Sequence, residues 1–269
     1  RIASKLSGEL AGGASAPPVF YEENMSNPIR KLQKKLKNKN KEVQSKHRVA
    51  INQIRLWSDY VYEVENPDHP KIQEGLIDFL YKYRSRVEKE IESDVAPIIK
   101  HNLFESSFDF FERHGTEEPI KLVADFCKSA LKQVITAANR KEWTKSLSKG
   151  TDITFDIVES WFHITKEGGY HEAHNPPMCS WCAVYYVDIG DSSRENGGIL
   201  RFYDPRWPTA QYADLGTEYR DNNQLQTVVP ANGKLVIFPS YLYHAITPLN
   251  TSTKDRVNFA MNVRVVGEI

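Results

Sequence analysis

GGYHEAHNPPMCSWCAVYYV, residues 168–187, is the stretch whose reading decides the fold. Two glycines close one extended segment, then His171, Glu172 and His174 fall within four positions, followed by Pro-Pro and an apolar run. Side chains alternate along a strand, so donors near a strand end can converge on one ion while the apolar run enters a core. The pattern reads as a metal-capable mouth on a β scaffold. A distant partner follows in FPSYLYHAITPL (residues 238–249), where His244 succeeds an aromatic-rich strand end, and Arg256 then opens DRVNFAMNVR (residues 255–264).

Around this stretch the period is two. TDITFDIVESWFHIT (residues 151–165) places Ile153, Phe155, Ile157, Glu159, Trp161 and His163 on one face and Val158, Phe162 and Ile164 on the other. Apolar groups on both faces indicate a strand packed on both sides. Further strands are expected at 182–187, 199–202, 226–229, 235–238 and 256–265, with turns at Asn196-Gly197-Gly198 and Asn232-Gly233. In the last strand Arg256, Asn258, Ala260 and Asn262 share a polar face meant for a cavity. Val257, Phe259, Met261 and Val263 share an apolar face meant for a helical layer.

Upstream the period is helical. Ile72, Leu76, Leu80, Tyr83, Val87 and Ile91 form one stripe, ended by Pro97, and Ile120, Val123, Cys127, Leu131 and Val134 form a second, with Glu117 and Glu118 in its first turn. The expected organisation is a flexible lead-in over 1–23, a mainly helical region over 24–150 and a β domain over 151–269. Helices followed by strands make this an α+β chain, with the helical layer packed outside a barrel or sandwich.

The 269 residues suffice for a substantial core. With 40% hydrophobic and 26% charged residues the composition is that of a globular protein, and 35 basic residues balance 35 acidic ones, so no global field draws a nucleic acid. A local exception is residues 30–48, where nine Lys or Arg face the single Glu42. Without interleaved aromatics to stack bases it reads as a solvated face, although it leaves a nucleic-acid or anionic-membrane contact open. No apolar run reaches the roughly 18 residues of a membrane span. Three cysteines argue against a disulfide framework and for a reducing, cytoplasmic setting, and Cys179 with Cys182 (CSWC) lacks the second pair a zinc site requires.

Two imidazoles and a carboxylate are the set that holds Fe(II) while leaving positions open. His174 and His244 are the first donors; His171 and Glu172 compete for the third place, and His163 points along the preceding strand. From Trp161 to Asn262 the order of GGYHEAHNPP, AVYYV, GGILRFYDPR, GKLVIFPSYLYHAITP and RVNFAMN resembles the bacterial and phage 2-oxoglutarate-Fe(II) oxygenases related to prolyl hydroxylases.

The resemblance implies a double-stranded β-helix (jelly-roll) core and Fe(II) with 2-oxoglutarate as co-substrate. It implies that His174 and His244 ligate iron and that Arg256 pairs with the distal carboxylate of 2-oxoglutarate, Tyr186 and Asn258 lying beside it. It implies hydroxylation of an unactivated C–H bond of a small molecule or peptide with O2, releasing succinate and CO2. One departure stands out. Related enzymes place a ligand two residues after the first His, where this chain has Pro176. His171 or Glu172 then supplies the third ligand, or the site has two histidines and an open position, as in halide-binding oxygenases; a barrel serving only as a binding module is the remaining alternative. Trp161, Tyr185, Trp207, Tyr241 and Tyr243 are expected at the cavity wall or rim, with residues 204–224 as a lid.

Overall fold

The structure is a computed structural model, which describes residues 35, 60–91, 102–140, 143, 154–204, 225–250 and 253–267. The chain divides into two units, Arg1–Ser58 and Asp59–Ile269; of the first, Lys35 alone is described. The lead-in, the basic run apart from Lys35, Pro97, Trp207 and residues 205–224 of the expected lid lie outside the described residues.

Among the described residues ten strands form two antiparallel sheets. They are β1 (Tyr62–Glu65), β2 (Leu103–Glu105), β3 (Thr154–Thr165), β4 (His171–His174), β5 (Trp181–Asp188), β6 (Leu200–Tyr203), β7 (Leu225–Val228), β8 (Lys234–Pro239), β9 (His244–Ile246) and β10 (Arg256–Val266). The larger sheet runs β1-β8-β5-β10-β3-β2 and the smaller β4-β9-β6-β7. This is a double-stranded β-helix, the jelly-roll arrangement. The helices whose bounds lie among the described residues are α1 (His69–Ile91), α2 (Phe110–His114) and α3 (Ile120–Ala138).

Period-two alternation sorts the side chains into two cores. In β5, Trp181, Ala183, Tyr185 and Val187 join the core beneath the helices, whereas Cys182, Val184 and Tyr186 join the core between the sheets. In β8, Leu235 and Ile237 go one way and Val236 and Phe238 the other. The helical stripes supply the outer layer: Leu76 and Leu80 of α1 and Val123, Cys127 and Leu131 of α3 are buried with Phe110, Phe162 and Phe259. Phe162 lies edge-on to Phe110, with ring centres 4.9 Å apart. Pro70 sits in the first turn of α1, where a missing N–H costs nothing.

Three features depart from the sequence reading. First, β1 and β2 arise within a region read as helical; β1 caps the edge of β8 and β2 the edge of β3. At three or four residues each, they are too short for a periodic signal. Second, β3 does not keep one phase. Opposite β10, the register shifts between Asn262 and Val263, so that Asn262 faces Glu159 and Val263 faces Ile157, leaving Val158 as a bulge. A bulge switches the faces, and Phe155 and Ile157 therefore pack toward the helical core while Glu159, Trp161 and His163 line the cavity. Third, α3 starts at Ile120 after Pro119, so Glu117 and Glu118 precede its first turn.

The turn that delivers β4 depends on glycine. Gly168 has φ +77°, and a side chain at Gly169 would approach Thr165 Cγ2 to 2.5 Å and Asn102 O to 2.9 Å.

Candidate active site

The site lies at the open end between the sheets, around a cavity of about 550 Å³ whose lining includes Glu105, Trp161, His163, His171, His174 and His244. β4 and β9 pair directly, with His174 opposite His244. Their ring centres are 4.5 Å apart. Between His171 and His174 the β4 register shifts, so four residues on β4 span three on β9 and the bulge turns both histidines to one side. Their ring centres are 5.8 Å apart.

Both paired rings have a defined tautomer. His174 Nδ1 lies 2.8 Å from the Glu172 carbonyl and His244 Nδ1 2.8 Å from the Leu242 carbonyl. A carbonyl only accepts, so Nδ1 carries the proton in each ring and Nε2 keeps its lone pair for a metal. His244 is buried against Phe238, whose ring centre is 4.8 Å away. Burial pushes its pKa down to about 4, and pushes that of His171 to about 2.

These depressed values predict an acid-sensitive fold. A buried neutral imidazole contributes stability that is complete above the unfolded pKa near 6.5 and is lost as pH falls toward the folded pKa. The slope is up to about 1.4 kcal/mol per pH unit per ring. The urea midpoint of the metal-free protein is expected to fall between pH 6.5 and 4, and less steeply in His244→Gln. A midpoint flat across that window would contradict the assignment.

Arg256 opens β10, whose Asn258, Ala260 and Asn262 line the cavity. Arg256 is 1% exposed, and its Nη1 donates to Asn258 Oδ1 at 2.5 Å. Arg256 Nε and Nη2 are buried without a hydrogen-bond partner, as is the Tyr186 hydroxyl, and the guanidinium carbon lies 5.2 Å from the Tyr186 ring centre. Among the described residues no carboxylate pairs with Arg256. A buried cation with unused donors costs several kcal/mol unless an anion meets it, and a guanidinium fork fits a carboxylate. The donor set therefore fits 2-oxoglutarate, and the two Nε2 lone pairs fit Fe(II).

The other expected residues divide. Asn258 lines the cavity, and so does Trp161. Glu172 also lines it, with an exposed side chain. Tyr185 does not. It points to the helical side, where its hydroxyl accepts from Asn66 Nδ2 at 3.0 Å and meets His69 Nδ1 at 2.7 Å. Tyr241 and Tyr243 are exposed and outside the cavity lining. Glu105 was missed altogether: a lone glutamate in an unread three-residue strand carries no signal, yet its Oε2 lies 2.9 Å from His163 Nε2.

Residues 159–262 match the family model described as "Putative 2OG-Fe(II) oxygenase". No curated protein matches the chain. Among solved structures, a Pseudomonas putida prolyl-4-hydroxylase is similar at 18% identity, with TM-score 0.47 over 77% of this chain and 94% of that one. A Trichoplax adhaerens prolyl hydroxylase, solved with a hypoxia-inducible-factor peptide fragment, is similar at 12% identity, with TM-score 0.47 over 89% and 94%. A collagen prolyl hydroxylase of Paramecium bursaria Chlorella virus-1, solved with 2OG, is similar at 13% identity, with TM-score 0.43 over 77% and 97%. The family match runs from Glu159 to Asn262 and so takes in the paired histidines and Arg256; over these residues the chain is similar to the 2-oxoglutarate-Fe(II) oxygenases, dioxygenases that use Fe(II) with 2-oxoglutarate as co-substrate.

Proposed function

We propose that the chain hydroxylates an unactivated C–H bond of a peptide or small molecule, with His174 and His244 holding Fe(II) and Arg256 anchoring 2-oxoglutarate. The observation that carries this reading is Arg256: a fully buried guanidinium with two unpartnered donors, on the strand beside a cavity that bears two imidazoles with free Nε2 lone pairs.

Each residue has a definable task. Arg256 Nε and Nη2 bind the distal carboxylate and fix the long axis of the co-substrate, and the Tyr186 hydroxyl donates to the same group. Asn258 holds the guanidinium in place from Nη1. The Glu172 and Leu242 carbonyls lock the two imidazoles so that Nε2 faces inward without a proton. Phe202 and Phe238 wall His244 and keep bulk water from that side. The bound Fe(II) and co-substrate supply the oxidising chemistry, and the protein supplies position and dryness.

Glu172 is the third donor in this reading. His171 Nε2 is turned 3.1 Å from His163 Nε2, and Glu172, two residues before His174, is among the residues that line the cavity. Succinate formed from 2-oxoglutarate under air with added Fe(II) is the direct test. Glu172→Gln is expected to lower that rate at least about 100-fold and His171→Gln less than about 10-fold. The reverse order would move the third donor to His171, and no succinate from the wild type would end the oxygenase reading for this chain. Among the described residues no helix is long and apolar enough to cross a membrane.

A further inference from the structure

Glu105, His163 and His171 come from β2, β3 and β4 and share no residue with the His174 and His244 pair. Their donor atoms form a tight triangle: His163 Nε2 to Glu105 Oε2 is 2.9 Å, His163 Nε2 to His171 Nε2 is 3.1 Å and His171 Nε2 to Glu105 Oε2 is 3.8 Å. All three atoms lie within 4.8 Å of one another, the one such group of His, Cys, Asp or Glu among the described residues.

As a hydrogen-bond network the triangle is frustrated. His163 Nε2 also faces the Trp161 indole N–H at 2.9 Å. If Nε2 carries a proton, that proton opposes the indole N–H and serves only one of Glu105 and His171. If Nε2 is bare, it accepts the indole N–H and turns its lone pair on the Glu105 carboxylate. No protonation state of one ring nitrogen meets all three partners. A cation between Glu105, His163 and His171 satisfies those three donors together and takes the place of the indole contact.

The dimensions suit an ion. A triangle with these sides has a circumradius of about 1.9 Å. A point about 2.0–2.1 Å from all three donors, the usual range for imidazole nitrogen or carboxylate oxygen on zinc, lies about 0.6 Å out of their plane. All three side chains also line the cavity, leaving a further coordination position on that side.

We propose that Glu105, His163 and His171 bind one divalent transition-metal ion, in a site separate from His174 and His244. The proposal does not rest on the oxygenase assignment. The site also ties the short strand β2 to the mouth of the cavity.

The test is metal stoichiometry. Chelator-stripped full-length protein is loaded with Co²⁺ alone, freed of loose metal by gel filtration and counted by elemental mass spectrometry. Two ions per chain are expected. Glu105→Gln and His171→Gln should each bind one, with affinity at the altered site reduced more than about 100-fold, beyond the range for outer-shell changes. The double variant His174→Ala/His244→Ala should keep the other ion, and the ion each variant retains shows that it is folded. One ion per chain that survives Glu105→Gln and His171→Gln, or none at all, overturns the proposal. One ion lost with Glu105→Gln but kept in the double variant upholds the site and instead removes the ligand roles of His174 and His244.

Discussion

Arg256→Leu is expected to yield a protein that is more stable without ligand and has lost its hold on 2-oxoglutarate. Arg256 is a buried cation that, among the described residues, meets Asn258 and the face of Tyr186. Leaving such a charge short of partners costs several kcal/mol, and an apolar replacement should recover about 1–3 kcal/mol of it. At roughly 2–4 °C per kcal/mol for a domain of this size, the melting temperature should rise by about 3–10 °C. The same change removes the fork that receives the distal carboxylate, so affinity for 2-oxoglutarate should fall at least about 100-fold, or about 2.8 kcal/mol. Thermal melts with and without co-substrate read both effects, because a ligand at about 100 times its Kd adds about 2.7 kcal/mol to the wild type. The variant should melt higher and show no ligand shift. A lower melting temperature with a preserved shift would mean that Arg256 is a structural group with a partner in the fold.

The second large effect belongs to the paired histidines. His174→Ala and His244→Ala should each reduce succinate formation at least about 1000-fold, since on the proposed assignment either change removes a metal donor from a site that already lacks a ligand at Pro176. Their stability costs should differ. His174 is exposed, whereas His244 is buried between Phe202 and Phe238. His244→Ala should therefore lose about 1–3 kcal/mol through the space it leaves, and His174→Ala almost nothing. Urea denaturation beside the rate assay separates the two. Activity in His174→Ala above a tenth of wild type would remove that residue from the ligand set.

Most of the scaffold was legible because its strands are long or doubly buried. The runs CAVYYV and KLVIF announce themselves, and the Arg256 strand shows its two faces by simple alternation. What alternation could not deliver were the two bulges. A bulge adds one residue without a reliable composition signal, yet the one at Val158 decides that Trp161 and His163 line the cavity while Ile157 packs under the helices. The one in β4 sets His171 beside His174. Glu105 escaped for a different reason: its place beside His163 is a contact across 58 positions of sequence, created by pairing a three-residue strand to the sheet edge. Orphaned donors are equally invisible in sequence. That Arg256 Nε and Nη2 find no partner among the described residues emerges only once the fold has surrounded them.

The most direct measurement is an anaerobic titration of metal-free protein with Fe(II) and 2-oxoglutarate, followed by the weak visible charge-transfer absorption of an iron-chelated keto acid. The wild type should develop the band with saturation in both components, His174→Ala and His244→Ala should not, and Arg256→Leu should need at least about 100-fold more 2-oxoglutarate. A wild type without the band at any concentration, or a band indifferent to Arg256, would contradict the placement of metal and co-substrate between β4, β9 and β10.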